Sequence, residues 1–226
     1  MKKTLALAIL LVSIVALSFA GCGTKQETNT KVTDKVSTTS ANTNKEGSKE
    51  LKINTTDSEV LWHGEKVVGK HDGKVKIKDG VVNVKDGKIV GGMVTVDLST
   101  ITDTDITDEA TNQKLVGHLK SEDFFDIAKF PVSTLEITEV TPIQNSAAGQ
   151  PNYTVKGNLT IRGVTKGITF PASITISDSK VTSNATFDID RTEFGLKYGS
   201  GKFFEGLGDK MIKDNFTMTY KISAGN

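Results

Sequence analysis

The sequence is short of cysteine, proline, histidine and arginine, and two of these shortages exclude particular kinds of site. Its 226 residues include one Cys, four Pro and three His. A single Cys excludes an internal disulfide framework and a Cys-rich metal site. Three histidines could hold zinc, but His63, His71 and His118 lack the close spacing of a metal motif on one element. We therefore predict neither a metal site nor a cofactor.

An excess of either charge is also lacking. Lys and Arg number 28 and Asp and Glu number 27, so the formal net charge is +1. Because no basic excess is available to neutralise phosphates, the chain is not expected to bind nucleic acid. The sequence contains neither a Gly-x-Ser-x-Gly nucleophile elbow nor a glycine-rich phosphate loop between a strand and a helix. No catalytic residues are predicted, and the protein is not expected to be an enzyme.

Long apolar runs are confined to the N-terminus. Lys2 and Lys3 precede an apolar stretch from Leu5 to Ala20. This stretch is shorter than the roughly 20 residues that a spanning helix needs. A basic start followed by such a run is typical of a secretory signal peptide.

The only Cys follows this run directly, in Phe19-Ala20-Gly21-Cys22. This junction resembles the lipobox of bacterial lipoproteins, although Phe19 stands where that pattern usually has Leu. The resemblance implies a signal peptide over residues 1–21 and acylation of Cys22 with fatty acids such as palmitate. It implies an extracytoplasmic, membrane-anchored lipoprotein, at the cell surface or in the periplasm. The alternative is ordinary cleavage after Ala20, which would release a soluble product.

Residues 22–50 are predicted to form a disordered tether. Gly23–Glu50 is rich in Thr, Lys, Asn, Ser and Glu and has few apolar residues. Such a composition cannot bury enough surface to offset the entropy of the chain. We interpret it as a spacer between the membrane and a domain over residues 51–226.

Beyond residue 50 the apolar residues recur at every second position. The clearest example is Ile168, Phe170, Ala172, Ile174 and Ile176. This period places all five side chains on one face of a strand, whereas a helix would scatter them. About eight such runs predict an all-β, antiparallel domain that closes into a barrel or packs as a two-sheet sandwich.

Two further local patterns predict turns and a helix. Asp72-Gly73, Asp79-Gly80 and Asp86-Gly87 are typical of tight turns, so we expect a meander of short strands there. Thr107–Phe125 lacks alternation, and we expect one or two short helices in this long loop. Ser121, followed by two acidic residues, resembles a helix start.

Several motifs occur together in one order along the chain. They are WHGEK at Trp62–Lys66, VTVDL at Val94–Leu98, KSEDFF at Lys120–Phe125, GNLTIRGVTK at Gly157–Lys166 and DRTEFG at Asp190–Gly195. In combination they resemble the YceI-like polyisoprenoid-binding family. The resemblance covers nearly the whole domain, from about Leu51 to Ile222.

This resemblance implies an extended, lipocalin-like, eight-stranded antiparallel barrel. It also implies an apolar lumen that holds an isoprenoid chain, a quinone tail or a fatty-acid derivative, for carriage or storage. Two other functions stay open: a surface adhesion or structural domain with a filled core, and an enzyme acting on a lipid inside the barrel. The sequence predicts no particular protein partner.

The alternating residues supply candidates for the lumen wall, and a few others could lie at its mouth. The lumen candidates are Val94, Val96, Leu135, Ile137, Leu159, Ile161, Phe170, Ile174, Phe187 and Ile189. Trp62, Phe124 and Phe125 are predicted at the mouth or an end plug. His71, His118 and Arg191 are candidates for contacts with a ligand head group. Ordinary core packing is the alternative for the apolar set, and helix caps, turns and ion pairs are the alternatives for the polar set.

Overall fold

Strands dominate the computed structural model, which describes residues 30–37, 46–177 and 179–225. The predicted signal peptide and Cys22 lie outside these residues. The strands are β1 (Lys31–Asp34), β2 (Lys49–Ile53), β3 (Glu59–Lys66), β4 (Gly69–Lys85), β5 (Lys88–Asp103), β6 (Val132–Pro142), β7 (Tyr153–Ile161), β8 (Val164–Ile176), β9 (Lys180–Asp190) and β10 (Asn215–Gly225). The helix α1 spans Glu109–Lys120, and short 3₁₀ turns cover Arg191–Phe194 and Gly208–Lys210. None of the helices in the described residues is long and apolar enough to cross a bilayer.

Eight antiparallel strands, β3 to β10, close into a barrel. Each strand pairs with the next along the chain, and β10 then pairs with β3 through Thr217–Lys221 and Glu59–His63. Closure removes the exposed edges that an open sheet would leave. The predicted eight-stranded barrel is confirmed, and the sandwich alternative is not adopted.

Two short strands flank this barrel. The first, β2, pairs with β4 over Lys49–Lys52 and with β10 near its end. The second, β1, pairs with Lys166–Thr169 of β8. The buried Asn158 amide reinforces it, accepting from Val36 N at 2.9 Å and donating to Val36 O at 3.0 Å. The prediction of disorder over 22–50 is therefore wrong for β1, whose polar sequence is ordered by its neighbours and not by its own pattern.

The Asp-Gly pairs differ in role. Asp86-Gly87 forms the predicted turn, with φ of 51° and 70°. The other two pairs lie inside β4, so the predicted meander of short strands is wrong there. Gly73 is needed for close packing: a Cβ would lie 2.0 Å from the Thr102 carbonyl oxygen and 2.4 Å from the Trp62 ring. A glycine can thus serve close approach as well as a turn.

The predicted helical segment contains one helix, α1. Its N-cap is Asp108, whose carboxylate accepts from Thr111 N at 2.9 Å. The interpretation of Ser121 as a helix start is wrong, because Ser121 follows the last turn and its hydroxyl donates to His118 O at 2.8 Å. A small polar residue can satisfy free backbone groups at either end of a helix. The presence of Ser121 alone therefore does not show whether a helix begins or ends there.

The two ends of the barrel differ in their connections. At one end lie the β3–β4 turn, the segment with α1, the β7–β8 turn and the long connection 191–214. We call this the helix end, and residues 191–214 the rim loop. The opposite end carries the β4–β5 turn, the loop 143–152 and the β8–β9 turn. The inward face of β8 is almost fully buried, with Ile168, Phe170 and Ala172 exposed by 1%, 1% and 0%.

Candidate functional site

A cavity of about 510 Å³ occupies the interior of the barrel. Its wall includes residues near the opposite end, such as Ile53 and Ile89, and residues at the helix end, such as Lys66 and Lys210. This volume falls within the range of small-molecule sites, which is roughly 300–1,000 Å³. The barrel is therefore hollow along much of its length.

The structure brings all the sequence-predicted apolar residues to this wall. They are Trp62, Val94, Val96, Phe124, Phe125, Leu135, Ile137, Leu159, Ile161, Phe170, Ile174, Phe187 and Ile189. Strand alternation explains the agreement for the strand residues, because every second residue of a barrel strand faces inward. Phe124 and Phe125 lie in the turn after α1 and reach the wall without such a pattern. Their contact with a ligand stays a prediction.

Three aromatic rings pack together in the wall. Phe170 on β8 and Phe187 on β9 stack with centroids 4.1 Å apart and an interplanar angle of 10°. Tyr220 on β10 meets both edge-on, at 6.1 and 6.2 Å. Offset and edge-to-face arrangements of this kind are favourable for aromatic pairs. The cluster gives the cavity a rigid apolar side.

No lumen residue was predicted on β4 or β10, although both strands line the cavity, β4 through Val75 and Val82. Phe216, Met218, Tyr220 and Ile222 of β10 all line the cavity. Their alternation was visible in the sequence and was the signal that could have assigned them. Leu196, Tyr198 and Ile212 also line it, but they come from the rim loop, where no period marks an inward face.

A polar pair interrupts the apolar wall. The Tyr220 hydroxyl lies 3.1 Å from the Ser183 hydroxyl, and both residues line the cavity. Burial raises the pKa of the Tyr220 phenol to about 12. The neutral phenol and Ser183 therefore offer a hydrogen-bonding position inside an otherwise apolar lumen.

The cavity opens at the helix end. The wall residues that are exposed to solvent are Lys66, Tyr198, Lys210, Lys213 and Asn215. All five belong to the end of β3, the rim loop or the start of β10. The wall at the opposite end, including Ile53, Val82, Ile89 and Val181, is buried. We call this opening the mouth.

The predicted head-group candidate His118 lies beside the mouth. Its ring meets Phe124 and Tyr198 edge-on, with centroids 5.0 and 4.7 Å apart. Its Nε2 lies 3.1 Å from an Asp123 carboxylate oxygen. His118 thus joins α1 to the rim loop, and its contact with a head group stays a prediction.

A second candidate, His71 on β4, faces two carboxylates. Its Nδ1 lies 3.1 Å from Asp105 Oδ2 and 3.7 Å from Asp103 Oδ2. The other oxygen of Asp103 accepts from Ile106 N at 2.9 Å, and burial raises the pKa of this carboxyl. Among the described residues this is the set whose ligand atoms could hold a metal ion, within 4.8 Å of one another.

The third candidate, Arg191, is held by the backbone. Its guanidinium donates to the carbonyl oxygens of Lys213, Leu196 and Ile212 at 3.0, 2.6 and 3.1 Å. It also lies 3.6 Å from Asp214, and the residue is 4% exposed. These contacts favour the structural alternative: Arg191 fixes the rim loop against the barrel.

The family model of the YceI-like domain matches residues 51–224. The chain belongs to the YceI-like family. Among curated proteins, this YceI-like chain is similar to a UPF0312 protein of Yersinia enterocolitica, with 45% identity over 58 residues. It is also similar to a UPF0312 protein of Yersinia pestis, with 43% identity over 58 residues. Each alignment spans 26% of this chain and 27% of the relative.

Solved structures share the YceI-like fold. BcnA of Burkholderia cenocepacia is 20% identical, with a TM-score of 0.57 over 76% of this chain and 99% of that one. A polyisoprenoid-binding domain of Saccharophagus degradans, implicated in plant cell wall breakdown, is 13% identical. Its TM-score is 0.54, over 77% of this chain and 97% of that one. At these identities the likeness shows the fold alone.

Proposed function

We propose that this YceI-like protein is an extracytoplasmic, lipid-anchored binding protein that holds an isoprenoid or another long-chain amphiphile in its lumen. The observation that carries the proposal is the hollow barrel: a cavity of about 510 Å³ with a wall that is mainly apolar. The polyisoprenoid named for the Saccharophagus degradans domain supports the same ligand class.

The hydrophobic effect is large enough for this task. Burying one CH₂ group is worth about 0.8 kcal/mol, so a chain of about twenty carbons gains on the order of 16 kcal/mol before ordering costs. A long-chain lipid is nearly insoluble in water, and an apolar lumen gives its hydrocarbon chain an apolar environment instead. Few polar contacts are required for binding of this kind.

Binding, and not catalysis, is proposed because three polar residues of the wall contact one another or the backbone. Ser183 and Tyr220 contact each other. Arg191 is committed to three carbonyl oxygens. Ser183 and Tyr220 can position a ligand without reacting with it, and Arg191 holds the rim loop.

Extraction of lipid from the full-length protein, purified from membranes of its host, tests the proposal. We expect a long-chain lipid to copurify and to be identified by native mass spectrometry and organic extraction. Val96→Phe narrows the lumen, and the neighbouring outward position supplies a control, Thr95→Phe. The first should lose lipid and the second should keep it, with circular dichroism showing that both are folded. The proposal fails if folded wild-type protein carries no lipid and takes up no isoprenoid alcohol after delipidation.

The anchor at Cys22 is tested separately. Cells grown with labelled palmitate should label the wild-type protein, and Cys22→Ser should abolish the label and release the protein from the membrane fraction. Labelling that persists in Cys22→Ser would contradict lipidation at this residue.

A further inference from the structure

Large apolar side chains are exposed around the mouth. Val67 and Val68 lie in the β3–β4 turn, and the others lie in the rim loop. The exposed fractions are 53% for Val67, 61% for Val68, 43% for Tyr198, 45% for Phe203, 48% for Phe204 and 38% for Met211. We call these six residues the mouth patch. An exposed cluster of this size usually marks an interaction surface.

Backbone hydrogen bonds join the segments that carry the mouth patch. Val67 N donates to Met211 O at 3.1 Å. Ile212 N donates to Gly199 O at 2.8 Å, and Phe204 N donates to Ser200 O at 3.0 Å. The turn and the rim loop therefore form one continuous surface and not two separate loops.

This surface is the edge of the cavity. Tyr198 belongs both to the mouth patch and to the cavity wall. Lys66 and Ile212 line the cavity as well, next to Val67 and Met211 in the chain. A flat surface pressed against the mouth patch would thus cover the opening of the lumen.

The surroundings of the mouth patch are net positive. Residues 65–70 and 196–214 contain six lysines and four carboxylates. Lys213 pairs with Glu65, and Lys202 lies 2.6 Å from Asp190 and 3.6 Å from Asp214. Lys197 Nζ lies 4.7 Å from the centre of the Phe203 ring. Exposed aromatic and aliphatic residues among lysines suit the interface of an anionic bilayer, where apolar side chains enter the headgroup boundary and lysines meet lipid charge.

We propose that the mouth patch docks on the surface of an anionic lipid bilayer and places the mouth directly against it. This inference rests on the proposed function and deepens it: the ligand would pass between bilayer and lumen without crossing water. The anchor proposed at Cys22 would keep the domain within reach of the bilayer. Seven residues separate Cys22 from Thr30, and they can span at most about 25 Å.

Fluorescent labels on single cysteines test which face meets the bilayer. Full-length Cys22→Ser protein receives one further cysteine, Phe204→Cys in the mouth patch or Met93→Cys on the barrel wall, and an environment-sensitive dye. Met93 is a matched control because it is 38% exposed and lies outside the patch. Every variant keeps the N-terminal apolar run, so its contribution to vesicle binding is the same in all.

The proteins are mixed with vesicles of phosphatidylcholine alone or with an equal part of phosphatidylglycerol. We expect a blue shift at position 204 with the anionic vesicles, a smaller one with phosphatidylcholine alone, and no shift at position 93. In a further variant the dye is attached at Met211→Cys, and Phe203→Ser and Phe204→Ser are added. These two serine substitutions should abolish the blue shift at position 211. Lys66→Glu with Lys210→Glu should weaken it.

Two outcomes would overturn the docking proposal: no shift at position 204 with either vesicle, or equal shifts at positions 204 and 93. The lipid content of the same preparations is measured by extraction. Lipid-loaded protein without a shift at 204 would overturn the docking alone. Lipid-free protein with the shift would contradict the proposed cargo and leave the docking supported.

Discussion

The rings of Phe170 and Phe187 stack in nearly parallel planes across the junction between β8 and β9, with their centroids 4.1 Å apart. The ladder between these strands pairs Ser173–Ile176 with Val181–Asn184. The two rings lie three residues beyond its last pair, on the side of the helix end. Contact between the two rings thus holds β8 and β9 together beyond the end of their backbone hydrogen bonds. Both rings lie on the cavity wall.

Phe187→Ala should therefore destabilise the barrel. Phe187 is 5% exposed, and its removal leaves both a larger cavity and an unstacked Phe170. We expect the free energy of unfolding to fall by about 3 kcal/mol or more. Thr182→Ala, an exposed position of the same strand, should cost about 1 kcal/mol or less. Urea unfolding monitors both, and equal losses would show that the stack contributes nothing beyond strand propensity.

Tyr220 should ionise only in strong alkali. Burial raises the phenol pKa to about 12, above the value near 10 of an unfolded chain. Because the folded pKa is the higher one, this group's contribution to stability is complete below about pH 10 and is lost as the pH rises towards 12. An absorbance titration of tyrosine should show a late step that Tyr220→Phe removes. An unchanged titration in Tyr220→Phe would contradict the assignment.

Gly73→Ala should disrupt the packing of the Trp62 ring against the backbone of Gly73. The added Cβ would lie 2.0 Å from Thr102 O, a backbone atom that cannot move aside cheaply. We expect a loss of about 1–3 kcal/mol in the free energy of unfolding and a changed Trp62 fluorescence spectrum. Gly64→Ala is the control, since nothing lies within 4 Å of its new Cβ. The packing role of Gly73 is refuted if both variants unfold alike.

His63 should stay protonated to a higher pH than an ordinary histidine. Its pKa is raised, first by a hydrogen bond with Asp72 and then by one with Glu65. The sign follows from linkage: the stabilisation is complete below the unfolded pKa near 6.5 and is lost as the pH rises through the folded pKa.

Nuclear magnetic resonance titration of the imidazole measures this pKa directly. Asp72→Asn should lower it, because the nearest carboxylate, 2.7 Å from His63 Nδ1, is removed. Asp79→Asn, at an exposed position of the same strand, should leave it unchanged. A His63 pKa below 6.5 in the wild-type protein would refute the pairing.

Alternation in the sequence was sufficient to find the inward face of the barrel. Four alternating residues of β8 and β9 were predicted for the lumen, and the structure places all four on the cavity wall: Phe170, Ile174, Phe187 and Ile189. The reason is local: a strand has a period of two whatever its neighbours are. The same logic failed for the rim loop, because Tyr198 and Ile212 reach the cavity through contacts that no local period encodes.

Local patterns along the chain were therefore enough to predict the all-β class, the inward face of the main strands and, through the motifs, the family. Tertiary structure decided that β1 is ordered, that Gly73 serves close packing and not a turn, that the barrel is hollow, and that it opens at the helix end. Each of these depends on residues far apart in the chain, such as the bridge from Lys66 to Ile212. The local pattern determines on which face of a strand a side chain lies. Which residues that side chain contacts depends on the closed barrel, which brings distant parts of the chain together.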